Sequence, residues 1–236
     1  MTIRISVVIP AHNEAENLPP LAERTAAVLR EMGTEFEILV VNDGSTDDTS
    51  ERIRETGTLV PELREIRLRE KSGQTAALLA GFSQARGEIV VTMDGDQQND
   101  PADIPKLLEA LDAADAAAGW RVSRKDPWLT VAASRIANAV RNRLSGDSIR
   151  DTGCGLKAFR RETLSSIPAF NGMHRFFPTL IRQAGYKVVE VPVSHRPRAH
   201  GQTHHSIRSR AIRAFVDLLA VRWMKSRRIR YEIEEK

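Results

Sequence analysis

Four short apolar runs, at 3–9, 36–41, 63–68 and 88–93, are rich in Ile, Val and Leu and bounded by turn formers, and each predicts a β-strand. Between them, 15–32, 46–55 and 73–85 repeat apolar residues at three- and four-residue spacings. Each predicts a helix, with Ser45 or Thr46 as the N-cap of the second. Strands and helices alternating in this way predict a mostly parallel sheet covered on both faces. Further along, the pattern predicts a helix over 103–111, a strand over 115–119 and an amphipathic helix over 128–144. A loop entering a short strand follows over 152–159, then a helix over 173–184, a strand over 187–193 and a last helix over 207–224. The expected organisation is one α/β domain over 1–206, then an amphipathic helix and charged tail over 207–236.

In open sheets of this kind, ligands bind beyond the carboxyl ends of the strands. Three polar segments fall there: Pro10 to Glu14, Asp43-Gly44, and Asp94-Gly95-Asp96-Gln97-Gln98. Residues i, i+2 and i+4 of an extended chain share a side, so Asp94, Asp96 and Gln98 aim oxygens at one point if the strand continues through them. A hard divalent cation takes such oxygens. Mg²⁺ keeps one or two carboxylates and completes its octahedron with phosphates and water, which favours a diphosphate-bearing substrate over a closed structural site. A plain polar turn is the alternative, since Asp and Gly are ordinary turn formers.

Composition narrows the class. A chain of 236 residues, 41% hydrophobic and 28% charged, can bury one sizeable core and is not a disordered polymer. Cys154 is the sole cysteine, so no intramolecular disulfide forms and a reducing cytoplasm is the expected compartment, with Cys154 structural. Residues 1–5 enter a strand without the basic and apolar regions of a signal peptide, and no apolar run reaches the length of a spanning helix. The net charge of +4 is modest, but basic residues crowd the last third and predict an anionic partner. No aromatic stacking platform accompanies them, so nucleic acid is not the expected partner.

Taken together, Val8-Ile9-Pro10-Ala11-His12-Asn13-Glu14, Val41-Asn42-Asp43-Gly44-Ser45-Thr46-Asp47, Met93-Asp94-Gly95-Asp96-Gln97-Gln98, Asp151-Thr152-Gly153-Cys154-Gly155-Leu156-Lys157 and Arg198-Ala199-His200-Gly201 resemble the motifs of family 2 glycosyltransferases. The nearest branch is that of the polyprenyl-phosphate (dolichol-phosphate) mannose synthases. The resemblance implies a GT-A-type nucleotide-sugar-binding α/β fold, with a mostly parallel central sheet and a C-terminal amphipathic helix. It also implies inverting transfer of a hexose, mannose favoured, from a GDP- or UDP-linked donor to polyprenyl phosphate. By the same resemblance Pro10, His12 and Glu14 line the nucleotide pocket, Asp43 bonds the base and Val41 packs beside it. Asp94 and Gly95 contact the nucleotide, Asp96 and Gln98 bind Mg²⁺ or Mn²⁺, and Arg121 and Arg198 face phosphates. A planar guanidinium suits that task because it engages phosphate oxygens bidentately. Where the family has Gly-x-Ser-Lys after the late arginine, this chain has Gly201-Gln202-Thr203-His204, so His204 stands at the lysine position and its attraction for phosphate would fade as pH rises.

Two residues keep two readings each. Asp43 either bonds the base or caps the following helix, and Asp151 either serves as general base toward a hydroxyl acceptor or holds the Thr152-Gly153 turn. A phosphate acceptor needs no base, because a phosphomonoester with a second pKa near ~6 is largely dianionic at neutral pH. The helices at 128–144 and 207–224 carry apolar stripes beside arginines. These fit peripheral attachment to an anionic membrane, on the cytoplasmic face, or packing on a core. The rivals are a family 2 transferase acting on a glycan or lipid hydroxyl, and a nucleotide-binding module without turnover.

Overall fold

The computed structural model describes residues 3–122, 142–143, 146–197 and 207–229, and of 207–213 the backbone alone. The chain divides into two compact units, one of residues 1–126 with 149–203 and one of 127–148 with 204–236. The predicted helix at 128–144 and the late motif at 198–204 lie outside the described residues.

The first unit is built on β1 (Ile5–Ala11), α1 (Leu18–Glu31), β2 (Phe36–Asn42), α2 (Thr49–Leu59), β3 (Leu63–Arg67), α3 (Gln74–Gln84) and β4 (Ile89–Thr92). A 3₁₀ turn (Pro101–Asp103), α4 (Ile104–Ala110), β5 (Ala116–Arg121), β6 (Lys157–Arg160) and α5 (Arg161–Ser165) follow. A second 3₁₀ turn (Met173–Phe176), α6 (Phe177–Gln183) and β7 (Val188–Val193) complete it. The strands form one seven-stranded sheet in the order β3-β2-β1-β4-β6-β5-β7, with β3 and β7 at its edges. Only β6 runs against its neighbours, pairing antiparallel with both β4 and β5. The predicted mostly parallel α/β sheet is observed.

Central β1 has Val7, Val8 and Ile9 without exposed surface, because helices cover both faces and an alternating strand would bury polar groups there. On one face, Ile5, Val7, Ile9 and Ala11 join Leu18, Leu21, Ala26 and Leu29 of α1 and Ile104 and Leu107 of α4 in the main core. α1 starts with prolines in its first turn, where a missing N–H costs no helical bond. The opposite face is closed by α3 and α6, with Phe177 edge-on to Phe159 at 5.7 Å and tilted against Phe82 at 5.6 Å.

Three local expectations are revised. α2 begins at Thr49 rather than at 46, and neither Ser45 nor Thr46 caps it. Their oxygens tie down the β1–α1 loop instead, accepting from the Asn13 amide at 3.0 Å and from Asn13 Nδ2 at 3.3 Å. The predicted single helix at 173–184 is a 3₁₀ turn followed by α6, and α5 was not anticipated. In the second unit, α7 (Ile207–Ser226) matches the predicted C-terminal helix; it buries Leu218 and Val221 and exposes Phe215, Val216, Leu219 and Trp223.

The tightness of the α3 face gives a paired prediction. A Cβ at Gly81 would stand 2.3 Å from Val8 Cγ1 and 3.1 Å from Val41 Cγ2, whereas one at Gly57 in α2 meets nothing within 4 Å. Gly81→Ala is expected to destabilise by about 1–3 kcal/mol through overpacking, and Gly57→Ala to stabilise by about 0.5–1 kcal/mol through helix propensity. Urea unfolding of the two variants against the parent checks the opposite signs.

Candidate active site at the carboxyl edge of the sheet

Since β1, β2, β4 and β5 are mutually parallel, their C-terminal ends share one edge, and antiparallel β6 brings its preceding loop, 151–156, to the same edge. Pro10, His12, Glu14, Asp43, Asp94, Gly95, Asp96, Gln98 and Arg121 end or follow strands there, and Asp151 lies in the loop that leads into β6. Arg198 and His204 lie outside the described residues. Val41 is corrected: its side chain has no exposed surface and packs beneath α3 next to Gly81, so it belongs to the core and does not line the mouth.

The His12 and Asp43 segments are fixed by backbone contacts. His12 Nδ1 lies 2.8 Å from the carbonyl oxygen of Asp43. The buried Asp43 carboxylate accepts from the Ser72 amide at 2.6 Å and the Gly73 amide at 2.8 Å, so it caps the entrance to α3, not the nearer α2. Each oxygen retains a second acceptor position. Gly44, at φ +62, passes under this loop where a Cβ would lie 2.5 Å from the Lys71 nitrogen.

β4 stops at Thr92, so the alternation that would have aligned Asp94, Asp96 and Gln98 along a continuing strand does not apply. A turn replaces it. Gly95 lies against the Pro10 carbonyl, 3.2 Å from its absent Cβ, and Gln97 adopts a left-handed φ of 63°. Asp94 Oδ1 accepts from Gln74 Nε2 at 3.0 Å, and buried Asp96 accepts from the Gln98 amide at 3.2 Å. Among the described residues no group of three or more His, Cys, Asp or Glu side chains could hold a metal on its own. Hard oxygens on one short turn fit Mg²⁺ or Mn²⁺ only with further oxygens from substrate phosphates and water.

Across the mouth, Arg121 at the end of β5 makes a bidentate pair with Asp151, Nε to Oδ2 at 2.7 Å and Nη2 to Oδ1 at 3.0 Å. Burial works against the guanidinium charge, but Asp151's hydrogen bonds and charge outweigh it and hold the Arg121 pKa above its ordinary value. Asp151 Oδ1 also accepts from the Gly153 amide at 3.1 Å, so it holds the turn. Both its oxygens are engaged, which disfavours Asp151 as a general base.

Sequence reasoning missed two groups here, buried Lys157 and half-buried His174. Lys157 is opposite Thr92 in the β4–β6 register, and its Nζ donates to the Cys154 carbonyl. Burial pushes its pKa down, while the charges of Cys154, Asp94 and Asp151 pull it up. Nearby Gly155 leaves room for Asp94, whose Oδ2 would be 2.2 Å from a Cβ there. Cys154 is buried, and burial raises its thiol pKa, in keeping with a structural role. His174, in the second 3₁₀ turn, is 2.7 Å from Thr75 Oγ1, which also accepts from the Gly172 amide at 3.0 Å. A pairing across 99 residues leaves no local signal.

Desolvation, followed by the charges of Arg175 and Lys157, pushes the His174 pKa down to about 3. The unfolded chain then binds a proton that the folded chain refuses, so this group's contribution is complete above the ordinary histidine pKa of ~6.5 and is lost as pH falls toward 3. From about pH 6 to about pH 4 it should remove on the order of 2 kcal/mol. In His174→Gln the acid limb of a stability–pH profile should be correspondingly shallower; equal slopes in parent and variant would refute the assignment.

Comparison with known proteins places the chain in a family. Residues 6–167 match Glycosyl transferase family 2. A dodecaprenyl-phosphate galacturonate synthase of Rhizobium johnstonii is 38% identical over 226 residues, covering 93% of this chain and 67% of that protein. An undecaprenyl-phosphate 4-deoxy-4-formamido-L-arabinose transferase of Edwardsiella ictaluri is 36% identical over 206 residues, covering 86% of this chain and 63% of that protein. This chain thus spans about two thirds of the length of these relatives. In fold, it is similar to glucosyl-3-phosphoglycerate synthase of Mycobacterium tuberculosis crystallised with Mn²⁺, UDP-glucose and phosphoglyceric acid. That similarity has a TM-score of 0.74 and 22% identity over 94% of this chain and 80% of the other. The order and placement of its motifs and its match over residues 6–167 establish that this chain belongs to glycosyl transferase family 2.

Proposed function

We propose that this chain transfers a sugar from a nucleoside diphosphate to a polyprenyl phosphate at a membrane surface. The observation that carries the reading is the convergence, on one sheet edge, of the Asp94–Asp96 turn, the His12 and Asp43 segments, and Arg121. The relatives' names supply the acceptor class. They also displace mannose, since the sugars named are galacturonate and 4-deoxy-4-formamido-L-arabinose, and the proposed donor carries a sugar of that modified kind.

An acceptor phosphate oxygen attacks the anomeric carbon from the face opposite the leaving group. The new C–O bond forms as the bond to the β-phosphate breaks, and the nucleoside diphosphate departs. As the dianionic phosphate needs no proton removed, the engagement of Asp151 by Arg121 does not hinder this chemistry. Arg121, fixed by that pair, keeps donors beyond the two it gives to Asp151 and places positive charge where phosphates gather. Mg²⁺ or Mn²⁺ held through Asp96 and Gln98 would neutralise the leaving diphosphate. The described chain leading toward Arg198 supports a phosphate role for that residue: the Arg196 amide donates to the Gln98 carbonyl at 3.0 Å, and Arg196 Nε pairs with Asp100 at 2.9 Å. Residues 194–197 therefore run beside the metal turn.

Membrane attachment rests on α7. Phe215, Val216, Leu219 and Trp223 are each at least 45% exposed, and Arg222 and Lys225 lie on the same helix. Among the described residues no helix is long and apolar enough to cross a membrane. A basic helix with an exposed apolar stripe lies in the headgroup region instead, on the cytoplasmic face, where a nucleotide-activated donor is at hand.

The test is product formation by the purified protein with Mn²⁺ and polyprenyl phosphate in anionic vesicles. The donors are UDP-galacturonate, UDP-4-deoxy-4-formamido-L-arabinose, UDP-glucose and GDP-mannose. A glycosyl phosphoryl lipid is expected from one of the first two, with turnover abolished by chelator and in Asp96→Ala without a change in melting temperature. Sugar transfer only to a hydroxyl acceptor, or full activity in chelator, overturns the reading.

In the same vesicles, the protein should co-sediment at low salt and be released by high salt. Phe215→Ser combined with Leu219→Ser should reduce sedimentation while leaving unfolding unchanged. If the parent stays in the supernatant at low salt, the membrane assignment fails.

A further inference from the structure

Gln97 lies within the metal turn yet faces away from its neighbours' task. Arg24 Nη2 donates to Gln97 Oε1 at 2.9 Å, Gln97 Nε2 donates to Asn17 Oδ1 at 3.1 Å, and Asn17 Nδ2 donates to Glu14 Oε2 at 2.6 Å. The direction of this relay is set at its ends. An arginine can only donate and an ionised glutamate can only accept, so the amides of Gln97 and Asn17 have one consistent orientation each. The relay links α1 and the end of the β1–α1 loop to a turn 73 to 80 residues away.

Its backbone is as informative as its side chain. Gln97 and Asn13 are the two non-glycine residues with positive φ among the described residues, at 63° and 57°. Asn tolerates the left-handed region, while Gln, lacking a short side chain that bonds its own backbone, does so only when its surroundings hold it there. Here the surroundings are the relay on one side and, on the other, Gly95 against the Pro10 carbonyl. Asp96, one residue before Gln97, is 7% exposed and accepts from the amide one residue after it. Any relaxation of φ at 97 swings that amide, and the Asp96 carboxylate with it.

We propose that Gln97 is a positioning residue for the cation: bonded to Arg24 and Asn17, it holds the left-handed turn that presents Asp96, and so sets the affinity of the nucleotide-bound site for Mn²⁺ or Mg²⁺. This rests on the reading of Asp96 as a metal ligand. The Gln97 side-chain amide is committed to Arg24 and Asn17, and Arg24 acts from α1.

The experiment measures Mn²⁺ binding by electron paramagnetic resonance in the presence of UDP and, separately, GDP, on the folded full chain and without turnover. Gln97→Leu, which keeps the side-chain bulk and loses the relay, is expected to weaken Mn²⁺ binding about fivefold, the equivalent of about one hydrogen bond. Gln97→Gly, at ease with positive φ, should retain more affinity than Gln97→Leu although it removes more of the side chain. Arg24→Met, a partly exposed change on α1 that leaves the turn's own sequence intact, should weaken binding in the same direction. The double variant should lose less than the two single losses combined, because both break one relay. Melting temperatures of the variants serve to separate a lost fold from a lost site. Unchanged Mn²⁺ affinity in Gln97→Leu and Arg24→Met beside a weakened Asp96→Ala overturns the positioning role alone. Unchanged affinity in Asp96→Ala as well removes the cation site, and this proposal with it.

Discussion

The unequal length of two neighbouring parallel strands governs the mouth of this protein. β1 pairs with β2 to the end of both, at Ala11 and Asn42, but its pairing with β4 ends at Val8 and Thr92. One further bond, from the Met93 amide to the Val8 carbonyl at 3.2 Å, closes the ladder, and β1 then runs on alone on that side. The chain leaving β4 has to fold over it. Gly95 makes that possible at the Pro10 carbonyl, and the result is a turn instead of a strand where the carboxylates stand. Gly95 thereby comes against Glu14 as well, whose Cγ would lie 3.7 Å from a Cβ at 95, so the turn after β4 and the loop after β1 pack on each other.

Most of the fold was legible because its signals are local. The apolar runs behind β1, β2 and β3 need only their own residues to be read, and the buried faces of α1 and α3 follow from three- and four-residue spacing. The edge that collects the polar motifs followed from strand-helix alternation alone. What escaped was set by distant partners. Asp43 accepts from amides 29 and 30 residues later, at the entrance to α3, a partner that neither sequence reading named. Ser45 and Thr46 have hydroxyls suited to an N-cap, yet the Asn13 loop, more than 30 residues earlier, claims them. Val41 was placed by motif where burial under α3 puts it out of reach, and the reversed direction of β6 has no hairpin turn to announce it.

That reversal shapes the Asp151 side of the mouth. With β6 entering from the mouth, its first residue, Lys157, is a buried amine whose pKa burial pushes down, between the turn that carries Asp94 and the loop that carries Asp151. The same loop contributes Gly155, whose missing side chain admits the Asp94 carboxylate. Thr92 Oγ1 donates to the Gly155 carbonyl at 2.8 Å, tying β4 to the 151–156 loop. The Asp94 turn and the Asp151 loop are thus joined through the same pair of strands.

The two edges of the sheet have a consequence of their own, for how copies of the chain can meet. An open edge strand is a template on which another molecule can add a strand. β3, at one edge, carries Arg64, Glu65 and Arg67, and charged side chains are one way in which edge strands discourage such addition. At β7, the carbonyls of Lys187 and Val193 are taken by β5 amides, which leaves the intervening even-numbered residues to turn their backbone outward. One of these is Pro192, which has no N–H, and another is Glu190, which is charged. Charge at β3 and a missing donor at β7 thus both weigh against the addition of a second molecule's strand along the flanks of the sheet.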